Sequence, residues 1–345
     1  MSSDFESETP KFKSTGLGEP QLAQSAPSVG PLLNEHGLEY PRPGINVFQR
    51  WPWLWFILPA LIGFGVLFVY PTIRAFYLSL FDWPGYGPVR GFVWFDNFVD
   101  VFQSQNFRRA ATNSAKLFIV IFILQNTVSL GLALMLNRRS KMTHVYRVII
   151  FLPQIMSAIA TGLIWNLMFD PIIGIINPFL EARGFESFAQ LWQADTEWAM
   201  KVVYLVQFWQ WNGMAVVLYL AGLQNVPEDL KHAALLDGAN KWRVFRDVTF
   251  PMLAPAFTIV TALSFILIFR AFDLIYVLGG PSGQPDSATL VLGVQIYTDA
   301  FGESSFSTQT RMSFAIAEGV TLFVFLAGVS WLLIKGLGKR EEAIH

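Results

Sequence analysis

The sequence predicts an all-α membrane protein: six apolar helices joined by polar links, one of which carries its own helix signals. Three observations support this. Of 345 residues, 53% are hydrophobic and 14% charged, whereas a soluble domain carries about a quarter charged residues; the surplus apolar surface faces lipid. Six stretches, at 53–72, 117–136, 147–169, 201–223, 252–272 and 312–334, are long enough for a hydrocarbon core that takes about twenty residues per helix. Between the fourth and fifth lies a polar segment, 224–250, whose residues specify a bend.

Residues 1–45 are rich in Ser, Pro, Glu and Gly and have no sustained apolar period. They predict a disordered cytoplasmic tail, without the basic start and short apolar core of a cleavable signal peptide. The membrane domain then runs over 46–338, and 339–345 form a short C-terminal tail. Pro59, Pro153, Gly162 and Gly213 fall inside spans, where neighbouring helices can satisfy a disturbed backbone.

Charge sets the expected orientation. Arg138, Arg139, Lys141 and Arg147 mark one link as cytoplasmic; Lys231, Lys241, Arg243 and Arg246 mark the polar segment, and Lys335, Lys339 and Arg340 the C-terminus. The link 170–200 holds only Arg183 and the link 273–311 only Arg311, so these lie outside, with both termini inside. The long first link carries Arg74, Arg90, Arg108, Arg109 and Lys116 beside Asp82, Asp96 and Asp100, and the other assignments put it outside. Trp51, Trp53, Trp55, Trp83 and Trp94 suit an interfacial belt.

Composition also excludes functions. The chain has no cysteine and a net charge of −1, which removes thiolate chemistry and gives no basic field for nucleic acid. His36, His144, His232 and His345 form no metal spacing. No phosphate-binding G-x-x-x-x-G-K-[ST] loop occurs, so any ATP used is hydrolysed on another chain.

The polar segment is built to hold a shape. Pro227 suits the first position of a helix, and Glu228 and Asp229 favour its first turn. Ala233, Ala234, Leu235 and Leu236 continue it, and Asp237-Gly238 breaks it. A second short helix carries Trp242, Phe245 and Val248 at three-residue spacing, with Lys241, Arg243, Arg246 and Asp247 around them. Pro251 and Pro255 open the fifth span. Periodicity alone is equally compatible with a helix pair lying on the membrane surface.

These residues resemble the cytoplasmic loop of binding-protein-dependent ABC importer permeases. The match is His232-Ala233-Ala234-Leu235-Leu236-Asp237-Gly238-Ala239, followed by Phe250-Pro251, with His232 where the family has Glu. Leu80-Phe81-Asp82-Trp83, Trp94 to Phe98, Trp165 to Phe169 and Gly174 to Asn177 extend the resemblance. Phe272 to Leu278 with Gly279-Gly280-Pro281 resembles the carbohydrate branch, maltose- and glycerol-phosphate-type systems, without its Thr before the glycines. The resemblance implies a six-helix MetI-like fold in a bacterial-type inner membrane. It implies a second, related permease chain and two ATPase subunits that use ATP and Mg; this chain binds no cofactor. It also implies an extracytoplasmic solute-binding protein that delivers a sugar, a di- or oligosaccharide. The loop residues His232, Ala233, Ala234, Asp237, Gly238, Ala239, Trp242, Phe245 and Pro251 then couple the permease to the ATPase.

Gln207, Trp209, Gln210, Trp211 and Asn212 crowd the fourth span. Polarity inside a span faces a cavity or a partner helix, and sugars are held by hydrogen bonds and aromatic faces. By count from the loop motif, the resemblance implies contacts at Gln207, Gln210, Trp211 and Met214, with Ser264, Leu267 and Ile268 opposite. The competing reading is helix packing through Gln and Trp. Arg270 and Asp273, three apart, are expected on one helical face as an ion pair or an outer gate. Gln125, Asn126 and Gln154 are expected to pair within the bundle, and Glu318 to serve packing or hydrogen bonding. Two other transport readings stay open: a charged solute contacting Arg270, and an ion-driven transporter using Glu318 and Asp273.

Overall fold

The computed structural model describes residues 53–137, 141–302 and 311–342. The predicted tail at 1–45, Trp51, Arg138, Arg139 and residues 343–345 lie outside that set, as do the side chains of Trp53, Trp55, Lys339 and Arg340. The chain divides into two units, up to Gly65 and from Val66 onward. The first contains α1 (Trp53–Phe64), an apolar helix with Pro59 inside it.

The second unit begins within the π turn Gly65–Val69 and continues into α2 (Tyr70–Leu78). A two-residue hairpin interrupts the all-α pattern, β1 (Phe81–Asp82) pairing antiparallel with β2 (Gly91–Phe92). The amphipathic α3 (Asp96–Gln103) follows; Asn97 donates to the carbonyls of Ser79 and Phe81 at 2.8 and 3.0 Å, fixing α3 to the hairpin. α4 (Gln105–Leu124) passes through a π turn at Gln125–Ser129 into α5 (Leu130–Leu136).

The predicted third span is not one straight helix. α6 (Lys141–Ile155) and α7 (Ala158–Phe169) meet at Met156–Ser157 with a 97° bend. Pro153, inside α6, withholds an N–H, and the break frees backbone carbonyls that need donors. One donor is visible: Gln210 Nε2 lies 3.2 Å from the Met156 carbonyl. The short α8 (Ile176–Ala182) leads to α9 (Thr196–Gln224), whose first turn is capped by Asp195, accepting from Glu197 N at 2.7 Å. At Gly213 a β-carbon would lie 2.7 Å from the Ile150 carbonyl oxygen and 2.9 Å from Phe151 Cα. Glycine there lets α9 pack directly on α6.

α10 (Glu228–Leu236) and α11 (Lys241–Val244) form the polar segment. A π turn at Phe245–Thr249 leads to α12 (Phe250–Met252), and a 60° bend opens α13 (Ala254–Phe269). Pro251 and Pro255 fall in the first turns of α12 and α13, where a missing N–H costs nothing. α14 (Asp273–Gly279), α15 (Leu292–Phe301) and α16 (Met312–Glu342) complete the described chain.

Among the described residues three helices are long and apolar enough to cross a membrane alone: Phe56–Leu78, Gln105–Leu136 and Met312–Gly336. The two bent pairs raise this to as many as five. The predicted fourth span, α9, has 29 residues but falls outside this set, because Gln207, Gln210 and Asn212 dilute its apolar run. Its position explains the tolerance. α9 supplies Met200 and Val203 to one buried apolar cluster, Ala215 to Leu223 to a second, and Val202 and Val206 to a third. It is the central post of the bundle, and Gln207 and Gln210 are buried on it.

A polar seam crosses the bundle at the π turn after α4. Gln125 accepts a hydrogen bond from Ser264 of α13, Tyr219 of α9 donates to Asn126, and Ser129 donates to Asn212 of α9. The expected pairing of Gln125 and Asn126 is therefore present. Gln154 differs: its buried Oε1 has no partner among the described residues. Glu318 is fully buried on α16.

Candidate functional site

α9 and α13 enclose a cavity. Gln207, Trp211, Met214, Ser264, Leu267 and Ile268 line it, six of the seven predicted contacts, together with Gln125, Ile121, Ala215, Leu218, Val260 and Leu263. No side chain in this lining is ionisable. Gln207 and Ser264 are buried, while Leu263 and Leu267 are partly open. The free space within this one chain is about 30 Å³, room for a water molecule and far short of a sugar ring. A solute enters only where α9 and α13 part or where a second chain supplies the opposite wall.

The seventh residue, Gln210, lies elsewhere. It is 1% exposed and donates to the Met156 carbonyl at the α6–α7 break. Successive helix residues turn by about 100°, so the polar run on α9 fans out around the axis. Gln207 and Trp211 meet the cavity, Trp209 packs edge-on against Trp165 of α7 at 5.5 Å, and Asn212 meets Ser129. Arg270 and Asp273 are not on one helix. α13 ends at Phe269 and α14 starts at Asp273, and no ion pair joins the two side chains. Both are exposed.

The polar segment adopts a defined bend. Gly238 has φ +81°, left-handed backbone that favours glycine. The N–H of Ala239 reaches the Ala234 carbonyl at 3.0 Å and that of Gly238 reaches the Leu235 carbonyl at 3.1 Å. This paired closure satisfies the last carbonyls of α10. Asn240 then caps α11, accepting from Arg243 N at 2.9 Å. Arg246 donates to both Asp247 oxygens, at 2.6 and 3.0 Å, and holds that carboxyl below the usual carboxylate range. Pro227 sits just before α10, as its cap rather than its first residue. The π turn also divides the expected Trp242–Phe245–Val248 stripe: Trp242 is 64% exposed while Phe245 and Val248 are half-buried. Trp242 still stacks near Phe245, with ring centroids 5.6 Å apart.

The outer face of this segment is unusually apolar for a polar loop. Leu236 is 89% exposed, and Leu235 and Trp242 stand out beside the exposed His232 and Ala233. Exposed apolar side chains on a bent, capped helix pair suit an interaction surface.

Residues 125–335 match the family model described as the binding-protein-dependent transport system inner membrane component. The chain is 32% identical over 276 residues to the lactose transport system permease protein LacF of Rhizobium radiobacter, covering 79% of this chain and 91% of that one. It is 30% identical over 298 residues to the diacetylchitobiose uptake system permease protein NgcF of Streptomyces coelicolor, covering 83% and 84%. In fold it is similar to a subunit in the crystal structure of a bacterial ABC transporter involved in the import of the acidic polysaccharide alginate. That match has a TM-score of 0.71 at 22% identity and covers 85% of this chain and 97% of the other.

The chain belongs to the family of binding-protein-dependent inner-membrane transport components. It is a non-catalytic permease subunit of an ABC importer, working with an ATPase and a solute-binding protein. The ion-driven alternative falls with this assignment.

Proposed function

We propose that this permease imports a neutral sugar, a di- or oligosaccharide, which crosses the membrane between α9 and α13. One observation carries the reading: Gln207, Trp211, Met214, Ser264, Leu267 and Ile268 share one cavity in which amides, a hydroxyl and an indole face apolar walls without a charge. That chemistry suits hydroxyls and C–H faces. A phosphate or carboxylate there would be a buried charge without a counterion. Arg270, the proposed contact for an anionic solute, is not part of the lining. Relatives named for lactose, diacetylchitobiose and trehalose/maltose agree with a sugar.

In this reading six helices span the membrane, α9 among them, with both termini and the α10–α12 segment on the cytoplasmic side. A second, related permease chain supplies the facing wall of the pore. Two ATPase subunits grip the two loops, here through His232, Ala233, Ala234, Asp237, Gly238, Ala239, Trp242, Phe245 and Pro251. ATP-driven closure moves the loops as rigid bodies and reorients the cavity. The bond from Gln210 to the α6–α7 break keeps α9 and its neighbour moving together. Arg270 and Asp273 stand near the outer mouth, where closure of the gate would bring them against the partner chain.

The test is a solute panel. The assembled complex, with its binding protein, is reconstituted in liposomes and offered lactose, maltose, trehalose, N,N′-diacetylchitobiose and glycerol 3-phosphate. Uptake of at least one neutral sugar, with no uptake of glycerol phosphate, is the expected result. Uptake of glycerol phosphate alone would contradict the neutral cavity.

A further inference from the structure

The proposed solute path is walled by α9 and α13, but a third helix also reaches it. Gln125 opens the π turn Gln125–Ser129 and lines the same cavity. π turns within α-helices occur often at functional sites, because the extra residue re-aims the side chains around it. Here four polar side chains are re-aimed, and Thr127 donates to the Ile123 carbonyl at 2.7 Å. Asn126 donates to the Phe122 carbonyl at 2.7 Å and accepts from Tyr219, and Ser129 is bonded to Asn212. Gln125 is only half used. Its Oε1 accepts from Ser264, and its amide N–H groups have no acceptor among the described residues.

We propose that Gln125 is a solute contact that selects for a sugar oxygen, its amide donating to a hydroxyl or ring oxygen while Ser264 holds the amide in orientation. The inference rests on the reading of this cavity as the solute path. Gln125 is 5% exposed, and an amide N–H with no protein acceptor leaves a position for an oxygen at this depth. A solute lacking that oxygen leaves the donors unpaired, which is how a polar site rejects a close analogue. Ser264, an expected contact in its own right, thereby becomes a positioning residue as well.

The native chain has no cysteine, so single cysteines report directly on access. In the assembled, reconstituted complex, Gln125→Cys, Trp211→Cys and Asn126→Cys are treated with a methanethiosulfonate reagent, and modification of this chain is read by mass. Lactose, maltose, trehalose and N,N′-diacetylchitobiose, each with binding protein, serve as protecting solutes. The proposal expects modification at 125 and 211 and not at 126, with the transported sugar slowing reaction at both cavity positions. If Trp211→Cys reacts and is protected while Gln125→Cys is inert or unprotected, the proposal fails and the cavity reading stands. If Trp211→Cys is also inert, the cavity reading fails and takes the proposal with it. Gln125→Met, close in volume, is expected to raise the half-saturation for uptake about tenfold, the effect of one lost hydrogen bond, with little change in maximal rate. An unchanged half-saturation would overturn the contact.

Discussion

Gly238→Val is expected to yield a membrane-inserted permease that recovers little ATPase on pull-down and shows no substrate-stimulated hydrolysis. The cause is backbone strain rather than a clash. A β-carbon at this position would meet no atom within 4 Å, but φ is +81°, and a β-branched residue is strongly disfavoured there. Holding a non-glycine residue in left-handed backbone costs about 1–3 kcal/mol. The alternative is to release the Ala239–Ala234 and Gly238–Leu235 bonds and swing α11 away from α10. Release displaces Trp242 and Phe245 relative to Leu235 and Leu236, and retention leaves the strain as a cost on the docking geometry. A loss of about 1.4 kcal/mol weakens docking tenfold. Gly238→Asn provides the control, since Asn tolerates the left-handed region; it should keep most of the ATPase. Equal recovery by Val, Asn and Gly would show that the bend does not position a docking surface.

The second large effect is expected at Trp211. Trp211→Ala removes the one indole of the cavity lining and should depress uptake about ten- to a hundred-fold, within the range for a lost aromatic contact surface. Assembly should persist, because Trp211 is only partly buried and belongs to none of the three buried apolar clusters. Gln210→Ala should behave in the opposite way. It removes the donor to the Met156 carbonyl and leaves the cavity lining intact, so it should lower thermal stability while leaving the half-saturation for uptake unchanged. Measuring both variants side by side separates solute contact from helix support. A raised half-saturation for Gln210→Ala with parental values for Trp211→Ala would invert this assignment.

What could be read from the sequence was mostly local. The bend at Asp237-Gly238 is a matter of neighbouring backbone, and the left-handed glycine stands where the residues indicated. The apolar runs indicated the long helices for the same reason. The break between α6 and α7 was hidden, because both halves are apolar and Pro153 resembles Pro59, which sits inside an uninterrupted α1. What distinguishes them is a distant partner, Gln210, 54 residues away from Met156. The same long-range fact removed Gln210 from the cavity. Its neighbours Gln207 and Trp211 carry similar chemistry, and only the rotation of α9 against its neighbours separates them. Arg270 and Asp273 looked like an i, i+3 pair until the end of α13 at Phe269 placed them on different helices. The π turns at Gln125–Ser129 and Phe245–Thr249 had no visible signal. One divided the Trp242 stripe, and the other turned Gln125 toward the cavity.

The central claim is that solute movement through this chain is driven by ATP hydrolysed on a separate subunit and transmitted through the α10–α12 loop. It is tested most directly by uptake into proteoliposomes containing the assembled complex, a transported sugar and its binding protein. Hydrolysable ATP is supplied to one sample and a non-hydrolysable analogue to the other, with no ion gradient in either. Sustained accumulation with ATP and none beyond binding with the analogue is the predicted result. Sustained accumulation with the analogue, or under an imposed ion gradient without nucleotide, would contradict it.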